Sequence, residues 1–315
     1  MIPNTPRPFR GIYAATLTPF DRIERMDEDL LAAHFSALAA RDGIVGVLCN
    51  GHAGEVFLLE REERRRVIEI ARDTIGDRAV IVTGLLAESS REARVHAQDA
   101  QEAGADAILV FPPFSWALSQ DPGMVIRHHQ AVLEATTLPI MLYQASVRAG
   151  AMAYPAATLE RLSCLPRVAA IKEGSWESAA YDANRRLVLR VAPGVEVMAS
   201  GDEHLFPCFA IGSDGSMVSL AVLMPDEIVG LERAVARGDM ATARALNARI
   251  QPLANAIYGA APGGFATVRL KACMELMGIW PNGQGRLPIG ALDQAEIARL
   301  RLALMAAGLL EVAAA

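Results

Sequence analysis

Lysine is almost absent from this chain of 315 residues. Of its 30 lysine and arginine residues, only two are lysines, Lys172 and Lys271. No strongly basic segment is present, since the formal net charge is −6 and charges of both signs are interleaved. The sequence therefore lacks the electrostatic pattern of a nucleic-acid-binding protein, and we expect no nucleic-acid partner. A small anionic substrate stays compatible with an acidic protein, because local positive groups can act inside a site.

Cysteine and long apolar runs are also scarce. The four cysteines are widely spaced and include no CxxC pair, so the sequence predicts neither a zinc site nor a disulfide scaffold. No uncharged apolar run reaches about 18 residues, which predicts that no segment spans a membrane. Residues 1–11 lack an apolar signal core and a transit-peptide composition. We therefore expect a cytoplasmic protein.

Apolar residues make up 52% of the chain and fall into two alternating patterns. Short β-branched runs predict eight strands, near residues 12–17, 45–49, 79–83, 107–110, 140–143, 168–172, 195–199 and 216–219. Segments with the helical period follow them, near residues 29–41, 61–74, 91–103, 124–136, 156–163, 177–189, 205–211 and 226–237. Eight regular strand–helix units predict a (β/α)8 TIM barrel with a parallel sheet rather than a doubly wound fold.

Three further helical patterns follow the barrel units, near residues 241–257, 267–277 and 294–307, with no strand predicted between them. We expect residues 1–237 to form the barrel with the catalytic site. Residues 238–315 are expected to form a C-terminal three-helix appendage.

Lys172 is the strongest candidate for chemistry, because the catalytic groups of a TIM barrel lie at the carboxyl ends of its strands. It follows the apolar run 168–171 and ends the sixth predicted strand. Burial in an apolar cavity would lower its pKa and give an amine that attacks a carbonyl as a Schiff-base nucleophile. The alternative is a lysine that extends to solvent or pairs with Glu173.

Two other strand ends carry candidates. Tyr143 ends the fifth strand, where its phenol could pass protons to an imine carbon and a substrate oxygen. The alternative is an aromatic residue that packs in the barrel interior. The second strand leads into the loop 50–55, which is bracketed by Gly51 and Gly54, so its backbone amides can approach an anion. We interpret Glu55 as an anchor of this loop rather than a reacting group.

Five motifs occur in a characteristic order: GIYAATLTPF at 11–20, GHAGE at 51–55, Tyr143 followed by Arg148-Ala-Gly, IKE at 171–173 and SGD at 200–202. In order and spacing they resemble the dihydrodipicolinate synthase/N-acetylneuraminate lyase family. The resemblance covers nearly the whole chain, including the C-terminal KACMEL at 271–276.

The resemblance implies a homotetrameric class I lyase that uses no metal or other cofactor and binds pyruvate or a longer 2-oxo acid. Lys172 matches the family's Schiff-base lysine, and Tyr143 matches its proton-shuttling tyrosine. The substrate-binding candidates fall into three groups. Gly51, His52, Ala53 and Gly54 match the loop that holds the 2-oxo carboxylate. Arg148 matches the arginine that receives a second carboxylate in the dipicolinate branch, and Gly201 belongs to the SGD motif. For the arginine, a solvated loop residue is the alternative.

The departures from the family pattern concern proton transfer. The family loop reads Gly-Thr-Thr-Gly-Glu, whereas His52 and Ala53 replace both hydroxyl-bearing residues here. Phe114 falls in the stretch where the dipicolinate branch supplies a tyrosine. The usual threonine–tyrosine relay therefore cannot form, which argues against a genuine dihydrodipicolinate synthase. We predict that His52 acts as an acid or base near neutral pH, the alternative being a histidine that only lines the pocket.

The sequence thus predicts a Schiff-base-forming lyase that acts on pyruvate or a longer 2-oxo acid through Lys172 and Tyr143. The reaction could be aldol cleavage, aldol condensation or dehydration of a 2-oxo sugar acid. One alternative is a 4-hydroxy-tetrahydrodipicolinate synthase that condenses pyruvate with aspartate semialdehyde. The alternative of another class is a catalytically weak paralogue that binds a 2-oxo acid.

Overall fold

A computed structural model describes residues 9–311 and shows a closed barrel of eight parallel strands in sequential order, with the last strand paired to the first. The predicted TIM barrel is therefore confirmed. Residues 1–8 and 312–315 lie outside the described part. The expectation that no targeting segment is present depends largely on residues 1–8. The strands are β1 (Gly11–Ala15), β2 (Ile44–Cys49), β3 (Val80–Leu85), β4 (Ala107–Val110), β5 (Ile140–Gln144), β6 (Val168–Glu173), β7 (Glu196–Ala199) and β8 (Gly215–Val218).

Each strand is followed by a helix that covers the outside of the barrel. These helices are α1 (Glu28–Ala39), α2 (Arg61–Ile75), α3 (Ser90–Glu102), α4 (Pro122–Ala135), α5 (Ala156–Ser163), α6 (Ser178–Val191), α7 (Leu205–Ile211) and α8 (Pro225–Ala236). Short polar side chains fix several of their starts. Asp121 caps α4 by accepting from the backbone amides of Gly123 and Met124, at 2.8 and 3.0 Å. Every predicted strand and helix end lies within two residues of the observed end.

The barrel interior is a packed apolar cluster, and the side-chain alternation of its strands decides what reaches the active-site end. Met141 and Ala170 point inward and are fully buried. Since side chains of a strand alternate between its two faces, the residues two positions on, Tyr143 and Lys172, point inward as well. The intervening residues face the surrounding helices, as Ile171 does. The interior cluster therefore forms the floor beneath both predicted catalytic side chains.

Three helices follow the barrel units: α9 (Met240–Ile257), α10 (Ala266–Leu276) and α11 (Gln294–Ala306). Arg269 on α10 is fully buried and ties the connection before it to α11. Its guanidinium donates to Glu296 at 2.7 Å and to the carbonyls of Ala260 and Ala261 at 2.8 and 3.1 Å. These bonds fix the segment between α9 and α10 beside the barrel mouth. The division at residue 237 stays a prediction.

No helix within residues 9–311 is both long enough and apolar enough to cross a membrane.

Candidate active site

A cavity of about 300 Å³ opens at the carboxyl ends of the strands, and Lys172 and Tyr143 both line it. The two residues are direct partners in the register between β5 and β6. The Lys172 Nζ lies 5.8 Å from the centre of the Tyr143 ring. The structure thus brings the two sequence-predicted catalytic residues together at one end of the barrel.

The cavity lowers the pKa of its amine and raises the pKa of its phenol. Burial lowers the pKa of Lys172 to about 8, against the opposing effect of the Asp202 charge. Burial also raises the pKa of Tyr143 to about 12, and the charges of Glu173 and Asp202 act in the same direction. About a tenth of Lys172 is therefore unprotonated at pH 7 and about half at pH 8, whereas Tyr143 keeps its proton.

Glu173 does not pair with Lys172, which removes one alternative for the lysine. Its two carboxylate oxygens accept from the Asn184 side-chain amide at 2.7 Å and from the Ser175 hydroxyl at 2.9 Å. Because strand neighbours point to opposite faces, this carboxylate lies on the helix side of β6 while the amine faces the cavity.

Asp202, of the SGD motif after β7, is the acidic group of the cavity. Its side chain accepts from the Leu220 backbone amide at 2.6 Å. Burial raises its pKa to about 6, although the Leu220 amide and the charge of Lys172 favour the carboxylate. Ser219 and Tyr258 line the same side and hydrogen-bond to each other through their hydroxyl groups. The cavity therefore holds a second set of proton-bearing groups across from Tyr143.

His52 is placed at the cavity, in an environment that lowers its pKa. Its ring stacks on Phe111, with ring centres 4.3 Å apart and planes at 23°, and meets Tyr143 edge-on at 5.5 Å. Burial, helped by the charge of Lys172, lowers its pKa to about 3. His52 is neutral at physiological pH and cannot act there as a charged general acid.

The other predicted binding residues divide into those at the cavity and those behind it. Ala53 lines the cavity, whereas Gly51 and Gly54 of the same loop are buried and do not line it. The Gly54 carbonyl accepts from the Thr18 hydroxyl at 2.9 Å. Gly201 is absent from the lining, although its neighbours Ser200 and Asp202 are present there. Its backbone φ of +116° is one that residues with a Cβ rarely adopt, so glycine suits this turn.

Arg148 is exposed on the loop after β5 and is not among the residues that line the cavity. Its backbone amide donates to the Ser146 hydroxyl at 3.2 Å, and no ion pair of its guanidinium is observed within residues 9–311. The structure therefore does not bring Arg148 together with Lys172 and Tyr143.

Glu55 lies behind the loop and reaches the C-terminal helices. It is fully buried and forms an ion pair with Lys271 of α10, whose side chain is also fully buried. Its second oxygen accepts from the Arg286 backbone amide at 3.2 Å. The Lys271 Nζ lies 4.2 Å from the centre of the Phe20 ring, which adds a cation–π contact. These contacts give Glu55 the geometry of an anchor between the loop and α10.

Sequence reasoning missed Trp176, Ser219 and Tyr258, all of which line the cavity. Trp176 and Tyr258 are in ring contact at 5.3 Å. Trp176 and Tyr258 do not end a strand, so their sequence positions carry no such signal, whereas Ser219 ends the eighth predicted strand. Tyr258 did carry a weak signal, because it is one of five tyrosines and directly precedes the glycine-rich segment 259–264.

Within residues 9–311, no cluster of three His, Cys, Asp or Glu side chains has the arrangement of a metal site.

A sequence profile of the dihydrodipicolinate synthetase family matches residues 8–307. The chain is similar to the 4-hydroxy-tetrahydrodipicolinate synthase of Halorhodospira halophila, with 33% identity over 310 residues, 96% of this chain and 98% of the relative. It is also similar to 4-hydroxy-tetrahydrodipicolinate synthase 1 of Streptomyces coelicolor, with 31% identity over 93% of this chain and 92% of the relative. Among solved structures, it resembles YagE of E. coli K12, a prophage protein crystallised with pyruvate, with a TM-score of 0.86 and 26% identity over 96% of this chain and 99% of that chain.

Proposed function

Because the chain belongs to the dihydrodipicolinate synthetase family, a family of Schiff-base lyases, we propose that its Lys172 forms an imine with pyruvate or a longer 2-oxo acid. The observation that carries this proposal is the pairing of a buried amine of lowered pKa with a phenol on the neighbouring strand. The named relatives and the pyruvate-bound YagE structure support the substrate class.

The chemistry follows from the two side chains. The Lys172 amine attacks the 2-oxo carbon, and the resulting carbinolamine loses water to give an iminium ion. The iminium then accepts the electron pair released when a proton or a carbon–carbon bond at the adjacent carbon is lost. Tyr143 is positioned to carry protons between the substrate oxygen and this carbon. The backbone of the loop 51–54 is proposed to hold the substrate carboxylate.

The remaining polar groups take supporting roles in this proposal. His52 acts as a neutral ring against which the substrate packs, because its lowered pKa removes the acid–base role at neutral pH. Asp202 carries a pKa of about 6 beside Tyr258 and Ser219, which makes it the second candidate for proton transfer. On the family resemblance alone, we also propose a cytoplasmic homotetramer, which light scattering on the purified protein would test.

A second candidate function is the condensation of pyruvate with aspartate semialdehyde, because relatives of 31% and 33% identity are named for that activity. The position of Arg148 outside the cavity lining and the loss of the tyrosine hydroxyl at Phe114 weigh against it. A third reading, a catalytically weak binding paralogue, predicts thermal stabilisation by a 2-oxo acid without turnover across a panel of substrates.

Reductive trapping is the direct test of the imine. Incubation with pyruvate and borohydride is expected to label Lys172, as read by intact mass and peptide mapping, because the imine is reduced to a stable secondary amine. Lys271 serves as the internal control, since it is the only other lysine and has no exposed surface. If neither pyruvate nor longer 2-oxo acids label Lys172, the proposed function is wrong.

The pH dependence of trapping tests the state of the amine. Because the pKa of Lys172 is lowered to about 8, the unprotonated fraction grows as pH rises through 8 and is nearly complete above 9. The initial rate of adduct formation with cyanoborohydride is therefore expected to rise about tenfold per pH unit below pH 7 and to level off above pH 9. A rate that is still rising beyond pH 10 would show an ordinary exposed amine instead.

A further inference from the structure

The outer part of the cavity is lined by aromatic rings that are left open. Phe57 and Phe114 line the cavity and keep 36% and 43% of their surface exposed, although large apolar side chains are usually buried. Their ring centres lie 6.2 Å apart, and Phe114 also meets the His52 ring at 6.1 Å. Trp176 extends this surface toward Tyr258. Only 5% of the chain is aromatic, so this concentration of rings at one opening is unusual.

Positive charge is absent from the same surface. Within residues 9–311, Lys172 is the only basic side chain that lines the cavity, apart from the neutral His52. In the proposed chemistry this amine is consumed by the imine, whose charge is balanced by the carboxylate of the 2-oxo acid. A second carboxylate on the substrate would therefore meet Asp202 and aromatic rings, with no cation to receive it.

Among the described residues, three of the five hydroxyl-bearing side chains that line the cavity are engaged with protein partners, the other two being Tyr143 and Ser200. Ser219 and Tyr258 hydrogen-bond to each other, and Thr267 donates to the His52 carbonyl at 3.3 Å. A polyhydroxylated substrate chain would need to displace these bonds. Phe57 and Phe114, in contrast, keep part of their ring surface open to a ligand.

We propose that the part of the substrate beyond the pyruvyl unit is an uncharged aromatic group, so that the carbonyl partner in the aldol reaction is an aryl aldehyde. This proposal rests on the proposed function and names its substrate class. In the cleavage direction, the hydroxyl of the imine-bound aldol passes its proton to Tyr143, which relays it to the adjacent carbon, while the bond between the carbinol carbon and that carbon breaks. The aryl aldehyde leaves, and the electron pair forms an enamine that is protonated and hydrolysed to pyruvate and free Lys172. A cavity of about 300 Å³ is at the small end for ligand sites, which favours a single ring.

Three aldehydes of different chemistry separate the possible classes. The wild-type protein is incubated with pyruvate and benzaldehyde, succinic semialdehyde or glyceraldehyde, and the aldol product is quantified by chromatography and mass spectrometry. We expect kcat/KM for benzaldehyde to exceed that for each of the other two by at least about tenfold, since stacking on the open rings adds to apolar burial. Higher activity with succinic semialdehyde or with glyceraldehyde would overturn the aromatic assignment.

Variants of the ring surface provide the matched comparison. Phe114→Ala is expected to lower kcat/KM for benzaldehyde by about tenfold, through loss of ring contact. Leu118→Ala is the control, because Leu118 lies four residues on, is 90% exposed and does not line the cavity. Phe57→Arg is expected to raise activity toward succinic semialdehyde by supplying the missing cation. Equal effects of Phe114→Ala and Leu118→Ala on benzaldehyde turnover would contradict the proposal.

Trapping with pyruvate distinguishes a failure of the aromatic subsite from a failure of the proposed function. If Lys172 is labelled in wild type and in Phe114→Ala but benzaldehyde is not preferred, the aromatic subsite is wrong and the proposed function stands. If Lys172 is not labelled, the proposed function fails and this inference fails with it.

Discussion

Replacing Lys172 with methionine is expected to lower the exchange of pyruvate methyl protons with deuterated water by on the order of 10⁴-fold or more. Exchange requires the enamine, and within residues 9–311 no other primary amine lines the cavity. Lys271 cannot substitute, because its amine is fully buried in the ion pair with Glu55. Methionine keeps the length of the side chain without its charge, so the barrel interior stays filled.

Proton NMR in deuterated buffer measures this exchange without knowledge of the second substrate. Thermal unfolding of the variant provides the control for folding, and we expect no loss of stability, since the substitution removes a charge from a desolvated position. Exchange by Lys172→Met at the wild-type rate would refute the imine mechanism even if pyruvate still binds.

Replacing Lys271 with methionine is expected to lower the free energy of unfolding by about 3–5 kcal/mol, because Glu55 is left as a buried charge without its partner. The remaining contact of that carboxylate, from the Arg286 backbone amide at 3.2 Å, does not neutralise it. Chemical denaturation followed by tryptophan fluorescence measures the loss.

A double variant distinguishes an uncompensated charge from poor packing. Combining Lys271→Met with Glu55→Gln removes both charges, and we expect it to recover most of the lost stability. If the double variant is as unstable as Lys271→Met alone, the methionine itself is poorly accommodated beside Phe20, and the ion pair is not the cause.

The fold and the central pair of side chains could be predicted because both depend on local pattern. Each buried strand is an apolar run, and the next-to-last residues of β5 and β6 are Tyr143 and Lys172, at positions that the strand alternation places on the inner face. The distance between the two side chains depends on the register of β5 against β6, and closure of the eight-stranded barrel fixes that register.

The rest of the cavity could not be predicted from local pattern, because distant segments supply it. Tyr258 comes from the end of α9, and the segment that follows is held in place by the buried Arg269. Trp176 has a backbone φ of +59°, an uncommon conformation that sequence alone does not indicate. The surroundings of His52 also lie beyond local pattern. Its residue type suggests titration near neutral pH, but the Phe111 ring and the depth of the loop set its actual environment.

Lys271 is fully buried and Lys172 lines the cavity, so the outer surface of this protein is nearly inert to amine-directed chemistry. Its exposed cations are guanidinium groups, which acylating reagents and aldehyde fixatives attack poorly compared with ammonium groups. Apart from the α-amino group, an activated ester therefore finds one partly accessible amine, that of Lys172. The amount of Lys172 that is acylated therefore measures the number of molecules whose cavity is empty, and a ligand in the cavity protects the amine. Simple acylation can thus serve as an active-site titration.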